Sequence, residues 1–194
     1  MRILLVYCHP VPESFCAALR ETTILALKLG GHEVDLLDLY EENFDPVMQS
    51  DERRRYNEMS LNDHPFPDHA KRLQDTDGII FIYPTWWYGL PAMLKGWLDR
   101  VWTPELTFSM PENGRIKPQM THVKFLGVIT TCGASRLWSN LVGHPGRRTI
   151  LRGIRSLCAP RCKTLFLAHY SMDASTQTSR TAFISKVESY LGKL

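Results

Sequence analysis

The stretch IIFIYPTWWYGLPAMLKGWLDRV, Ile79 to Val101, carries three structural signals in direct succession. IIFIY, Ile79 to Tyr83, is a short apolar run bounded by a turn signal, the pattern of a strand buried on both faces. LPAMLKGWLDRV, Leu90 to Val101, has helical length. Between them PTWWYG sets Pro84, two adjacent Trp and a Tyr in one turn. Trp is rarely fully buried and consecutive residues cannot face the same way, so at least one of Trp86 and Trp87 is expected to line a pocket or an interface. Pro84, Thr85, Trp86, Trp87 and Tyr88 can turn backbone N–H groups toward the edge of one planar polar ligand, with aromatic rings covering its apolar part.

Four more runs read as strands: ILLVY (Ile3 to Tyr7), EVDLLDL (Glu33 to Leu39), VKFLGVIT (Val123 to Thr130) and TLFLAHY (Thr164 to Tyr170). Segments of helical length separate them. Ser14 to Leu29 has Phe15, Ala18, Leu19, Leu25, Ala26 and Leu29 at three- and four-residue steps, and Gly30-Gly31 ends it. Further helices are expected at Asp68 to Asp75, at Leu90 to Val101, at about Arg147 to Cys158 and at Ser179 to Leu191. Tyr40 to Pro67 is polar and contains Pro, so it reads as a loop with room for one short helix. Buried strands alternating with helices imply an α/β fold, a five-stranded parallel sheet covered by helices on both faces. Ligands of such sheets bind beyond the carboxyl ends of the strands.

Composition narrows the classes. A chain of 194 residues, 44% hydrophobic, suits one domain over residues 1–194. A net charge of +3 is too small to argue for nucleic acid, and Arg53, Arg54 and Arg55 sit beside Asp51, Glu52 and Glu58 as a solvated face. Five cysteines without CxxC spacing favour reduced thiols over a disulfide framework, and neither a Cys nor a His pair completes a zinc site with Cys158 and Cys162. ILLVY is too short for a signal-peptide core, and no run approaches the roughly 18 apolar residues of a membrane helix. A cytoplasmic protein without membrane insertion is expected.

The ends of the other strands offer more chemistry. CHPVPESFCAAL, Cys8 to Leu19, reads as a strand end, a loop and a helix capped by Ser14, whose N-terminal amides suit a phosphate. The loop lacks glycine, so it is neither a dinucleotide fingerprint nor a P-loop. The phosphate would rest on Ser14 and the amides of Phe15, Cys16 and Ala17, although Ser14 reads equally well as a plain helix cap. TTCGASRLWSNLVGHPGRR, Thr130 to Arg148, reads as a long loop of small residues. It contains His144, whose unperturbed pKa of about 6.5 allows proton exchange near neutrality.

On these residues the chain resembles the flavodoxin-like NAD(P)H:quinone oxidoreductases over nearly its whole length. HPVPESF resembles the family's phosphate loop, LYEENFDPVM the segment after its second strand, PTWWYGLPAMLKGWLDRV its flavin-ring loop and helix, and TTCG its second ring loop. The resemblance implies a flavodoxin-like doubly wound sheet and a flavin, FMN or FAD, with FMN favoured for a chain of this length. It implies that His9, Ser14, Phe15, Cys16 and Ala17 hold the phosphate and ribityl region. Pro84, Thr85, Trp86, Trp87 and Tyr88 would hold the ring, and Thr130, Thr131, Cys132 and Gly133 would flank its other edge. His144 falls where the family has a catalytic-site His, with Trp87, Trp138 and His144 lining the substrate pocket. Two departures stand out: TTCG replaces the usual TTGG, and Trp138 stands where the mammalian enzyme has an active-site Tyr. An indole donates one hydrogen bond but does not titrate as a phenol does.

The implied activity is ping-pong hydride transfer from NAD(P)H through the flavin to a quinone, in a homodimer whose second subunit completes the pocket. NADH and NADPH both stay open, Arg147 and Arg148 beside His144 being placed for a 2′-phosphate. Three other roles share these features: a flavin-bearing regulatory subunit of a potassium-efflux system, an azo- or nitro-reductase, and an electron-carrier flavodoxin. Carriers are usually acidic, whereas this chain has a pI near 8.6.

Overall fold

The computed structural model describes residues 1–58, 61–111 and 114–194. Five strands, β1 (Arg2–Tyr7), β2 (Glu33–Asp38), β3 (Gly78–Thr85), β4 (Phe125–Cys132) and β5 (Lys163–His169), pair in parallel in the order β2-β1-β3-β4-β5. The chain moves from β1 to one side, then crosses back to place β3 on the other. The cleft above the β1/β3 boundary is therefore the topological switch point where doubly wound folds bind ligands.

Alternation along the strands divides the interior in two. Leu4, Val6, Ile79 and Phe81 face one layer, packed against α3 (Pro67–Gln74) and α4 (Ala92–Val101). Ile3, Leu5, Ile80 and Ile82 face the other, packed against α1 (Phe15–Leu29) and α7 (Gln177–Leu191). The five expected strands and the flanking helices are thus present, with helices on both faces. Outside the sheet, Phe108–Ser109 pairs antiparallel with Lys117–Pro118.

Several boundaries differ from the sequence expectation. β3 continues through Pro84 to Thr85. The Cys8 amide donates to the Ile82 carbonyl, so Pro84 is the next β3 residue facing β1, and pairing with β1 has already stopped at Ile82; no ladder bond is lost. β4 lies two residues later than the apolar run indicated and extends through Thr130, Thr131 and Cys132, which pair with Tyr83, Pro84 and Thr85. The expected helix about Arg147 to Cys158 is a short α6 (Pro145–Arg148), a π turn (Thr149–Gly153) and a 3-10 turn (Ile154–Leu157). That change of winding buries Ile150 and packs Leu151, Ile154 and Leu157 on the core. In α1 the buried face is Cys16, Leu19, Thr23, Ala26 and Leu27, while Leu25 and Leu29 face solvent.

The Tyr40–Pro67 segment contains α2 (Ser50–Arg55) and a 3-10 turn at Leu61–Asp63. It is fastened to α4 by charge. Arg100 and Glu52 are both buried, with Nη2 2.7 Å from Glu52 Oε2 and Nε 2.9 Å from Oε1; the third guanidinium nitrogen, Nη1, donates to the Asp45 carbonyl. At Gly96 a β-carbon would lie 2.2 Å from the Pro46 carbonyl oxygen, so only glycine allows α4 to approach this segment. Among the described residues no helix is long and apolar enough to cross a membrane.

Candidate functional site

Three strand ends meet at the switch point. After β1, Ser14 is the N-cap of α1: its Oγ accepts from the Ala17 amide at 3.1 Å. The cap reading of Ser14 therefore holds, and it removes one of the expected phosphate donors. Among the described residues the amides of Phe15 and Cys16 meet no acceptor, and α1 has no acidic residue in its first turn, so this end presents positive potential. The Phe15 ring packs edge-on against His169, 5.4 Å away, and near Phe183, so this residue offers its backbone to the cleft and its side chain to the core. Cys16 is buried, its Sγ 3.6 Å from Thr131 Oγ1, which ties α1 to the end of β4; burial pushes its thiol up to about 11. His9 Nδ1 accepts from the Val11 amide at 3.0 Å, and burial lowers its pKa. The neutral ring therefore carries its proton on Nε2, a donor not used by the loop. Its centroid is 6.3 Å from that of Trp86.

After β3, Trp86 and Gly89 form a bridge closed by the Gly89 amide on the Trp86 carbonyl, 3.0 Å. The two residues between them, Trp87 and Tyr88, have φ of 49° and 62°. Paired positive φ is the signature of a type I′ turn, normally built from Asn and Gly. Two aromatic residues in that conformation are strained, and such strain concentrates at binding sites. Neither Trp enters the core: Trp86 is 44% and Trp87 96% exposed. The anchor of the following helix lies instead in Leu94, Trp97 and Leu98, all buried.

After β4, side-chain hydrogen bonds run in one direction. Thr130 donates to the Tyr83 carbonyl at 2.6 Å, so it accepts from Thr85 at 2.9 Å; Cys132 Sγ lies 3.4 Å from Thr85 Oγ1, to which it donates. The hydroxyls of Thr85 and Thr130 are spent on stitching the two strand ends together. Cys132, expected in a loop, is the last residue of β4, and burial raises its pKa. The chain leaves the sheet only at Gly133, where a β-carbon would lie 2.9 Å from Asp173 Oδ2, so the absence of a side chain lets that carboxylate approach without shifting.

The expected long loop to Arg148 is mostly helical. Ser135 caps α5 (Arg136–Val142), accepting from the Trp138 amide, and Gly143 ends it at φ 88°. Trp138 Nε1 donates to the Tyr88 hydroxyl at 2.7 Å, bracing the aromatic turn from above. Gly146 braces it from below, its amide 3.5 Å from the Tyr88 carbonyl.

A cavity of about 250 Å³ opens among Thr85, Trp87, Tyr88, Cys132, Gly133 and Ala134, with Ser139 behind it. His144 stands on the other side of α5. Its Nε2 is 3.1 Å from Asn140 Oδ1 and 3.3 Å from the Tyr170 hydroxyl, and its ring packs edge-on against Phe166. Burial, then Arg147 and Arg148, lower its pKa, so it is neutral near neutrality. Of the substrate-pocket trio, Trp87 lines the cavity, Trp138 supports its rim, and His144 borders a neighbouring cleft. Sequence reasoning missed Asp173 and Tyr170, which carry no local motif. It also missed α5, although Ser135 and Gly143 bracket it as start and stop signals.

The sheet order, with three strand ends meeting at the switch point, defines a doubly wound α/β protein. The family model described as flavodoxin-like fold matches residues 1–188, and the chain belongs to that family. Among curated relatives, NAD(P)H dehydrogenase (quinone) 1 of Cavia porcellus is 29% identical over 178 residues, 80% of this chain and 62% of its own. Ribosyldihydronicotinamide dehydrogenase (quinone) of Mus musculus is 27% identical over 158 residues, 71% of this chain and 66% of its own. The chain spans about two thirds or less of the length of these relatives. Among solved structures, Smu.1420 from Streptococcus mutans is 28% identical with a TM-score of 0.87, covering 100% of both chains. An NAD(P)H:quinone oxidoreductase from Methanothermobacter marburgensis shares the fold at 23% identity and a TM-score of 0.83, covering 100% of this chain and 96% of its own.

Proposed function

We propose that this chain is a flavin-dependent NAD(P)H:quinone oxidoreductase, binding FMN at the switch point and working by ping-pong two-electron transfer in a homodimer. The observation that carries this reading is the pair Trp87-Tyr88, both held at positive φ with Trp87 exposed, beside a helix N-terminus whose Phe15 and Cys16 amides meet no acceptor among the described residues. The names of the curated relatives support the same class.

The residues present fit a flavin. Phe15 and Cys16 amides suit the phosphate, His9 Nε2–H suits the ribityl region, and the backbone from Thr85 to Tyr88 and around Gly133 suits the polar edges of a planar ring. A bound flavin would supply the two-electron chemistry, accepting hydride from NAD(P)H and passing it to the acceptor. The stitched hydroxyls of Thr85 and Thr130 fix both strand ends before any ligand arrives, so the backbone donors pay little reorganisation. Trp87, exposed at the cavity's rim, would cover a bound ring. Asn140 Oδ1 only accepts, so neutral His144 carries its proton on Nε2, and that N–H, turned from Asn140 to a reduced acceptor, would stabilise its negative charge by a hydrogen bond, with the Tyr170 hydroxyl beside the ring. Exposed Leu137, Trp138 and Leu141 on α5, continuous with Trp87, give a second subunit an apolar face that completes the pocket. Five free thiols, all buried, support a cytoplasmic location.

The test is steady-state turnover of NADH or NADPH with a soluble quinone by the flavin-loaded protein. Parallel double-reciprocal lines are expected, with His144→Ala slowing turnover by roughly a hundredfold while flavin content is unchanged. Absence of flavin-dependent quinone reduction with either donor overturns the activity, and a fully active His144→Ala protein removes the role of His144.

A further inference from the structure

On the far side of α5 from the aromatic cavity, two adjoining clefts of about 250 and 450 Å³ lie between α5, α6, β5 and α7, sharing Arg147 and Asn140 as a common wall. Arg148 and Arg152 line one of them; Arg136 and Lys186 line the other. No Asp or Glu lines either cleft, and among the described residues none of these five cations forms an ion pair. Elsewhere Arg2, Arg20, Arg72 and Arg100 are all paired with carboxylates. Taking the five from the 23 basic residues leaves 18 against 20 acidic ones, so the remainder of the chain is net negative.

The guanidinium groups are also seated. Arg147 lies 4.8 Å above the Phe166 ring, and Arg148 packs over Gly143, where a β-carbon would stand 3.1 Å from its Cζ. The thiol-free lining offers neutral donors as well, from Asn140, Thr164 and Tyr170. Holding like charges together without acids costs electrostatic energy; burial first, and then Arg147 and Arg148, lower the pKa of His144 on the same wall.

We propose that this cleft binds a phosphate monoester dianion carried by a small molecule. Arginine forks match the three terminal oxygens of a phosphate monoester better than they match a single carboxylate. The combined volume is that of a small-molecule site, roughly 300–1,000 Å³, and is concave rather than an extended groove. The net negative remainder of the chain disfavours a long polyanion such as nucleic acid. The 2′-phosphate of NADPH and free inorganic phosphate are the two sources of this chemistry. The proposal does not rest on the flavin reading.

Calorimetric titration of the full chain at low salt with adenosine 2′,5′-bisphosphate, inorganic phosphate and adenosine tests it. Adenosine is expected not to bind. The bisphosphate is expected to bind, and the Arg147→Gln/Arg148→Gln protein to bind it at least tenfold more weakly with unchanged melting temperature, since both side chains are exposed. Arg152→Gln, in the adjacent wall, is expected to weaken binding less. Bisphosphate binding more than tenfold tighter than phosphate supports the site with the 2′-phosphate as its source; equal affinities support it with free phosphate as its source. Binding of neither phosphate, equal binding by wild type and double variant, or tighter binding of an oligonucleotide that grows with its length overturns the proposal. A protein that binds the bisphosphate but no FMN leaves this site standing and sinks the flavin reading alone.

Discussion

Trp97 and Trp87 belong to one strand-turn-helix unit and have opposite fates. Trp97 has no exposed surface; its Nε1 donates to His69 Nδ1 at 3.1 Å, and its ring meets Phe81 and Trp102 edge-on. Trp87 is 96% exposed and stands on a backbone conformation that aromatic residues seldom adopt. The first contributes to stability; the second, in the function proposed above, serves binding. An exposed aromatic on strained backbone costs the fold something, and such strain concentrates at binding sites.

Trp97→Ala is expected to have the largest effect, a loss of about 3–5 kcal/mol from the cavity it leaves and from the unpaired His69 nitrogen, read from urea unfolding. Next comes Glu52→Gln, which leaves Arg100 buried without its carboxylate and should cost about 3 kcal/mol by the same measurement. A cost below about 1 kcal/mol would show that Asp45 alone satisfies the guanidinium. Replacing the turn with Trp87→Asn/Tyr88→Gly should move stability the other way. Strain relief exceeds the lost Trp138–Tyr88 hydrogen bond, for a net gain of about 1 kcal/mol, while flavin affinity collapses. Unchanged flavin affinity in that variant would break the contrast between the two tryptophans.

The smallest effect is on pH. His9, His32, His64, His144 and His169 all have pKa values lowered from 6.5, with desolvation the first cause in each. The folded chain keeps them neutral, so below 6.5 the unfolded chain binds more protons than the folded one. Stability is therefore full above pH 6.5 and declines as pH falls through that value toward the lower folded values. A melting temperature equal or higher at pH 5.5 than at pH 7.5 would contradict this sign.

The fold was legible because its strands are buried on both faces and therefore read as unbroken apolar runs. What failed to read were positions where burial and polarity part company. Thr131 and Cys132 are polar or small yet lie inside the sheet, so β4 was ended too early. Leu25 and Leu29 are apolar yet exposed, so the inner face of α1, drawn correctly through Leu19 and Ala26, was wrong at those two positions. α5 was hidden by the same inversion, since its Leu137, Trp138 and Leu141 point outward and lack the buried stripe that marks a helix. In the site, the Ser14 cap of α1 and the exposed aromatic turn were readable from a capping signal and a composition. The pairing of His144 with Tyr170, and of Gly133 with Asp173, joins separate elements and depends on the fold.

Titrating the purified, flavin-stripped chain with FMN, and following the quenching of flavin and tryptophan fluorescence together, tests the central claim most directly. One FMN bound per chain is expected, with quenching that is lost in Trp87→Ala at unchanged melting temperature. A chain that binds neither FMN nor FAD, or a Trp87→Ala protein that binds FMN as tightly as the parent, would contradict it.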